Sequence, residues 1–190
     1  MKRQNLGFTL IELIITMVIA AIVVTIGVPS FRNIILNNTR VAQVNELVGA
    51  LNLARSEAAK SGLRATICRS ADGATCATDT SGVWGSGWIV YVDRNQDGAL
   101  SSGEAIKVQG AIPESFTLQT SVLLTQSVTY LANGTLSSPA SIDTLVKCEG
   151  VFQLCDSRKV DQARFITISV TGRVAYREKR TSGEICSCPP

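Results

Sequence analysis

The sequence predicts an α+β fold, a long N-terminal transmembrane and amphipathic α-helix packed on an antiparallel β-sheet head. Three observations carry this. A near-uninterrupted apolar run covers residues 8–28, an apolar repeat at helical spacing continues to about residue 60, and everything after residue 63 breaks into short β-rich runs. The implied organisation is a leader at 1–7, a transmembrane helix at 8–28, its amphipathic continuation at 29–62 and a β-rich head at 63–190.

Met1 to Leu6 are mostly polar and carry Lys2 and Arg3, whereas Phe8 to Val28 contain one ionisable side chain, Glu12. At about 1.5 Å per residue this run gives ~30 Å of helix, the hydrocarbon thickness of a bilayer. A secretory signal peptide would place a small-residue cleavage pattern after the apolar stretch. Here Ala20 and Ala21 sit inside it, and the small residue that stands at its border is Gly7. Cleavage between Gly7 and Phe8 would remove the leader and keep the anchor. A carboxylate in lipid costs roughly 2.5–3.5 kcal/mol on insertion scales and is usually matched to a partner. Glu12 lies one helical turn from Phe8, whose amine cleavage would expose. The competing reading places Glu12 at the membrane surface, where the positive end of the helix dipole favours it.

Gly27 and Pro29 are expected to kink or loosen the helix, since Pro29 lacks an N–H and crowds the preceding turn. Beyond them Val41, Val44, Leu47, Val48, Leu51, Ala54 and Ala58 recur at three- and four-residue spacing. Arg40, Gln43, Glu46, Arg55, Glu57 and Lys60 fall largely elsewhere on the wheel. Ser61 and Gly62 supply a stop. Strands are expected at 63–69, 88–93, 105–108, 116–120, 127–131, 164–170 and 173–177. Asn133-Gly134 and Thr171-Gly172 mark turns, the second a tight hairpin.

Composition excludes several function classes. Lys and Arg number 18 against 15 Asp and Glu, and loss of Lys2 and Arg3 brings the two signs close to balance. No strong basic field argues for nucleic acid. Histidine is absent, which removes Ser-His-Asp and Cys-His arrangements. No phosphate-binding glycine loop is present, and the expectation is a protein that is not an enzyme and requires no cofactor. Six cysteines in an exported chain read as disulfides. Cys68 and Cys76 can staple a strand to the following loop, and Cys148 and Cys155 can close a second one. Cys186 and Cys188 are too close to bridge easily and could reach back to Cys148 or Cys155, so the pairing stays open.

Two further patterns stand out. Asp93, Asn95 and Asp97, then Gly98 and, after five intervening residues, Glu104, satisfy the spacing of a calcium loop, with Ala99 offering its carbonyl. The flanking runs look like strands and not helices, so a polar hairpin loop built for turn chemistry is the competing reading. Arg173, Arg177, Lys179 and Arg180 form a basic run, which reads either as a DNA contact or as a solvated edge strand whose charges discourage edge pairing.

The leader GFTLIEL, at residues 7–13, resembles the class III leader of type IV pilins and type II secretion pseudopilins. The resemblance implies cleavage between Gly7 and Phe8, N-methylation of Phe8, and pairing of Glu12 with the Phe8 amine of a neighbouring subunit. It also implies a lollipop shape, with one helix half in lipid and half laid against a head. The order Cys68 to Ser70, Trp84, Gly87 to Asp93, an acidic loop, Leu154 to Asp156 and Thr171 to Arg173 further resembles the GspH/FimT branch of minor pilins and pseudopilins. That branch implies a structural subunit of a type II secretion pseudopilus or type IV pilus, near the filament tip. Its implied partners are prepilin peptidase, an inner-membrane assembly platform and other major and minor pilins. Its implied location is the bacterial inner membrane, single-pass, with the head in the periplasm. Some members of the wider group use structural calcium, and some FimT-like pilins bind DNA through a segment starting at the Gly172-Arg173 equivalent. DNA uptake is therefore the alternative function, and a periplasmic protein that is anchored but never polymerises is a third.

Overall fold

The computed structural model describes residues 8–79, 81, 83–120, 124, 126–137, 151–158 and 162–177. The chain divides into two units, Met1–Thr39 and Arg40–Pro190. One helix, α1 (Leu10–Ser61), begins in the first and ends in the second.

Thr9 caps α1, its Oγ1 accepting the N–H of Glu12 at 3.3 Å. The helix then continues through Gly27 and Pro29, where the missing N–H of Pro29 leaves one carbonyl without its usual helical partner. At its far end Gly62 takes φ +70° and donates to the Ala58 carbonyl at 3.0 Å. This is the left-handed cap that Ser61-Gly62 announced. Through the first unit the helix is exposed on every side, with Phe8, Leu10, Ile11 and the apolar residues up to Ile35 all facing outward. From Arg40 onward one stripe is buried, comprising Val44, Leu47, Ala50, Leu51, Ala54 and Ala58. Two wheel assignments are corrected: Val41 is half exposed, while Arg40, expected on the wet face, is buried. Arg40 turns inward because it has partners there. Its Nη1 donates to the Gln162 carbonyl at 2.6 Å and lies 3.6 Å from the Asp156 carboxylate.

The second unit holds eight strands: β1 (Arg64–Arg69), β2 (Trp88–Asp93), β3 (Ala105–Gln109), β4 (Phe116–Thr120), β5 (Ser127–Tyr130), β6 (Val151–Asp156), β7 (Arg164–Ile168) and β8 (Val174–Arg177). They form two four-stranded antiparallel sheets, ordered β3-β2-β1-β5 and β4-β6-β7-β8. The expected strands are present with slightly trimmed ends. Strand β6 is not among the expected strands; VFQLCD closely follows Cys148 in sequence and carries Cys155, and it is fully buried between β4 and β7. Such a strand, buried on both faces, shows no alternation to read. The segment before β2 links the sheets. Val83 bridges Gln119, the Trp84 N–H bonds the Leu118 carbonyl at 2.7 Å, and the Trp84 ring packs edge-on against Phe152 with centroids 4.9 Å apart. Trp88, four residues on, opens β2 in the other sheet.

Two turns share one design. In Ala132-Asn133-Gly134, Gly134 donates to Leu131 and Leu131 to Thr135, both at 2.8 Å. In Val170-Thr171-Gly172, Gly172 donates to Ser169 at 2.8 Å and Ser169 to Arg173 at 2.9 Å. Each is a three-residue connection ending in a left-handed glycine, with φ +76° and +75°. The turns also meet. Leu136 donates to the Val170 carbonyl at 3.2 Å, and from α1 Arg55 donates to the carbonyls of Gly134 and Thr171 at 3.1 and 3.0 Å. One guanidinium thus ties the helix to a turn from each sheet. A Cβ on Gly172 would stand 2.1 Å from the Gly134 carbonyl oxygen.

Two outcomes follow from these contacts. Gly172→Ala is expected to cost roughly 2–4 kcal/mol, through the clash and the left-handed backbone together, as measured by denaturant unfolding. The second concerns Asp156. Burial disfavours its ionised form, but the hydrogen bonds of Arg158 and the charges of Arg158 and Arg40 outweigh burial and hold its pKa below the usual carboxylate value. A depressed folded pKa contributes stability that is present above the unfolded value, near ~4, and is lost as pH falls through the folded one. The melting temperature should therefore drop on acidification below about pH 4. Asp156→Asn should flatten that part of the profile while lowering the neutral plateau.

Candidate functional site

The residues expected to direct processing and assembly belong to the first unit. Gly7 lies outside the described residues. Phe8 is 82 % exposed, and Glu12 is exposed in the first turn of α1. Thr9 through Glu12 read T-x-x-E, with Thr9 at the cap position and Glu12 three residues on, the sequence form of a capping box. The sequence reading had overlooked this although the spacing announces it. Through its N–H bond to Thr9 Oγ1, the Glu12 backbone takes part in the cap that starts the helix. Glu12 and three threonines apart, the surface from Phe8 to Val28 is hydrocarbon; α1 is long and apolar enough to cross a membrane, and its apolar window is not buried against other described residues.

In the second unit the residues that carried the branch resemblance prove to be anchor points. Cys68, Arg69 and Ser70 close β1, and each holds a different part of the next loop. Cys68 is disulfide-bonded to Cys76, as expected. The Arg69 guanidinium is buried and donates to Ser81 Oγ at 2.9 Å, the Val83 carbonyl at 3.0 Å and the Asp79 carbonyl at 2.6 Å, with the Asp79 carboxylate 2.7 Å away. The Ser70 hydroxyl donates to Asp72 at 3.0 Å and accepts the Gly73 N–H at the same distance. The hydrogen bonds of the Thr75 and Ala74 amides then keep the Asp72 carboxyl far below the ordinary range. In β6, Leu154 enters the core, Cys155 is disulfide-bonded and Asp156 meets Arg40 and Arg158. Cys155 sits near the end of strand β6. Cys148, Cys186 and Cys188 lie outside the described residues.

The acidic loop joins β2 to β3, so its flanks are strands. Glu104 is buried. Its Oε1 accepts the N–H of Arg94 at 2.7 Å and of Asn95 at 3.3 Å, and its Oε2 accepts that of Ser101 at 2.9 Å. The Ser101 amide bond, with those of Arg94 and Asn95, lowers its pKa against the opposing effect of desolvation and the Asp97 charge. Asp97 Oδ1 accepts the Ala99 N–H at 2.8 Å, and Asn95 Oδ1 accepts that of Asp97 at 3.1 Å. Among the described residues no three His, Cys, Asp or Glu side chains already converge as a metal-holding group.

The basic run is not gathered into a patch within the described residues. Arg173, just before edge strand β8, and Arg177, at its end, are exposed, with Val174, Ala175 and Tyr176 between them. Lys179 and Arg180 lie outside the described residues. This is the arrangement of a charged, solvated sheet edge.

Comparison with known proteins agrees with this geometry. The family model described as "Type II transport protein GspH" matches residues 43–172. The prokaryotic N-terminal methylation motif matches residues 2–28. Among solved structures, the type IV minor pilin FimU of Pseudomonas aeruginosa is similar in two crystal forms. One is 25% identical with a TM-score of 0.55, covering 80% of this chain and 97% of that one. The other is 26% identical with a TM-score of 0.52, covering 76% and 96%. No curated protein matches the sequence significantly.

Glu104→Gln is expected to lower the melting temperature with metal chelated, because an amide replaces one of the two acceptor oxygens that hold three backbone N–H groups. Thermal unfolding in EDTA measures this directly.

Proposed function

The chain belongs to the GspH family of type II transport proteins, and from that membership we propose that it is a minor pilin-like subunit which enters a filament through its N-terminal helix. Its relatives are structural subunits and not enzymes, and the chain is a structural subunit in the same sense. The observation that carries the assembly reading is the first unit itself. Between Phe8 and Val28 every side of α1 is exposed, the exposed surface is apolar, and the sole ionisable side chain is Glu12.

Such a helix is stable in two surroundings, a bilayer and a bundle of like helices, and a filament subunit occupies both in turn. Prepilin peptidase would cut after Gly7, removing Lys2 and Arg3 and creating an amine on Phe8, which is then methylated. While the subunit waits in the inner membrane, with its head in the periplasm, Glu12 lies one turn below that amine. When subunits stack under the assembly platform, Glu12 of the incoming chain meets the Phe8 amine of its neighbour. Pairing is favoured because a buried carboxylate without a counter-charge costs several kcal/mol. The apolar surface supplies adhesion without direction, and the ion pair supplies register. The family description speaks of type II transport and the solved relative is a type IV minor pilin; this mechanism serves a pseudopilus or a pilus alike, with the head near the tip.

Intact-mass and N-terminal analysis of the protein purified from membranes should show a polypeptide beginning at Phe8 and carrying one added methyl group. A mature chain still starting at Met1, or starting beyond Val28, overturns the assignment. Glu12→Ala should still insert in the membrane but be lost from sheared filaments. Normal incorporation of that variant would mean that no such pairing sets the register.

A further inference from the structure

The loop between β2 and β3 has no part in helix-driven assembly, yet it is built with more care than a surface turn needs. Asp93, at its start, is only 1 % exposed. Its Oδ2 accepts the Gly98 N–H at 3.1 Å, which aims the carboxylate across the loop. Its Oδ1 is buried with no hydrogen-bond partner among the described residues. A buried, unmatched carboxylate oxygen is among the costlier features a fold can carry. A cation beside it would remove that cost.

Other polar groups share the space. The Tyr91 hydroxyl donates to the Gly98 carbonyl at 3.5 Å, and Glu104, buried, faces the same loop through the amides of Arg94, Asn95 and Ser101. The backbone is shaped accordingly, with Gln96 at φ +62° and Gly98 at φ +80°, so that the chain folds back over Asp93.

We infer that this loop binds a calcium ion, with Asp93 Oδ1, Asn95, Asp97, the Ala99 carbonyl and Glu104 as its oxygen ligands. The donor set is all hard oxygen, irregular and carried on a pliable loop. These features suit calcium, which takes six to eight oxygens in flexible geometry, better than magnesium, which demands a rigid octahedron. Glu104 is the residue that must move. In the conformation described it is occupied by the amides of Arg94, Asn95 and Ser101, so binding exchanges some of those bonds for the ion and draws Glu104 toward Asp93. That exchange sets the affinity in the weak range of extracellular modules, roughly 0.1–1 mM. This inference stands apart from the assembly reading, since it uses no residue of the first unit.

The test uses the full-length protein in detergent, stripped with EDTA. Calcium at about 1–5 mM should raise the melting temperature, and magnesium at the same concentration should not. Terbium should bind the loop and luminesce on excitation of Tyr91, with calcium competing the signal away. Asp97→Asn, at an exposed position, should keep the fold and shift the calcium midpoint by about tenfold or more. Asp93→Asn should abolish the calcium response and, in EDTA, melt no lower than the parent, because it removes the unmatched charge. Absence of any calcium-dependent rise, an equal rise with magnesium, or an unchanged midpoint in Asp97→Asn would each overturn the site. None of these results bears on whether Glu12 directs assembly.

Discussion

A single helix has to satisfy two solvents, and the rest of the molecule is arranged around that requirement. Its first twenty or so residues present a mostly hydrocarbon surface on every side, which a bilayer or other helices can cover. Its later turns must instead supply the interior of a small head whose two sheets are each four strands wide. The change occurs without a break in the helix. Polar side chains mark it: Arg40 turns inward to Asp156 at the start of the buried stripe, and Arg55 reaches two turn carbonyls near its end. Between them the stripe is narrow and rich in small residues, with Ala50, Ala54 and Ala58 fully buried at four-residue intervals. Small side chains at that spacing let backbone approach closely, and arginines at either end fix position where apolar contact alone would slide.

The second unit shows how a short family vocabulary is put to structural use. Cys-Arg-Ser, Trp-x-x-Gly-Trp, Leu-Cys-Asp and Thr-Gly-Arg, at 68–70, 84–88, 154–156 and 171–173, contain no catalytic group. Each stands where the chain passes from one element to another. Cys68, Arg69 and Ser70 fasten a long loop, and Trp84 carries the chain from one sheet to the other. Asp156 receives α1, and Gly172 lets two turns touch. The function of such a subunit is mechanical, and its informative residues are joints.

Legibility in the sequence followed the range of the physics involved. The helix, its stop at Gly62, the Cys68–Cys76 staple, both glycine turns and most strands were readable because each rests on residues within about ten positions of one another. Strand β6 was not, since a strand covered on both faces loses the alternation that identifies it. Arg40 was misplaced for a related reason. A wheel assigns arginine to solvent, and only Asp156 and Gln162, more than a hundred residues away, give it cause to turn inward.

A membrane-length apolar helix with one acidic side chain near its start, joined to a β-rich head stapled by disulfide, is written in local order along the chain. Hydropathy, period and cysteine spacing are local properties that survive without a fold. The division of the strands into two sheets, the one arginine that joins a turn from each, and the sealing of Asp93 from water with one oxygen unmatched come instead from the folded arrangement. Those outcomes depend on which distant surfaces are left to cover one another once the chain has collapsed, and burial of that kind has no signature in spacing.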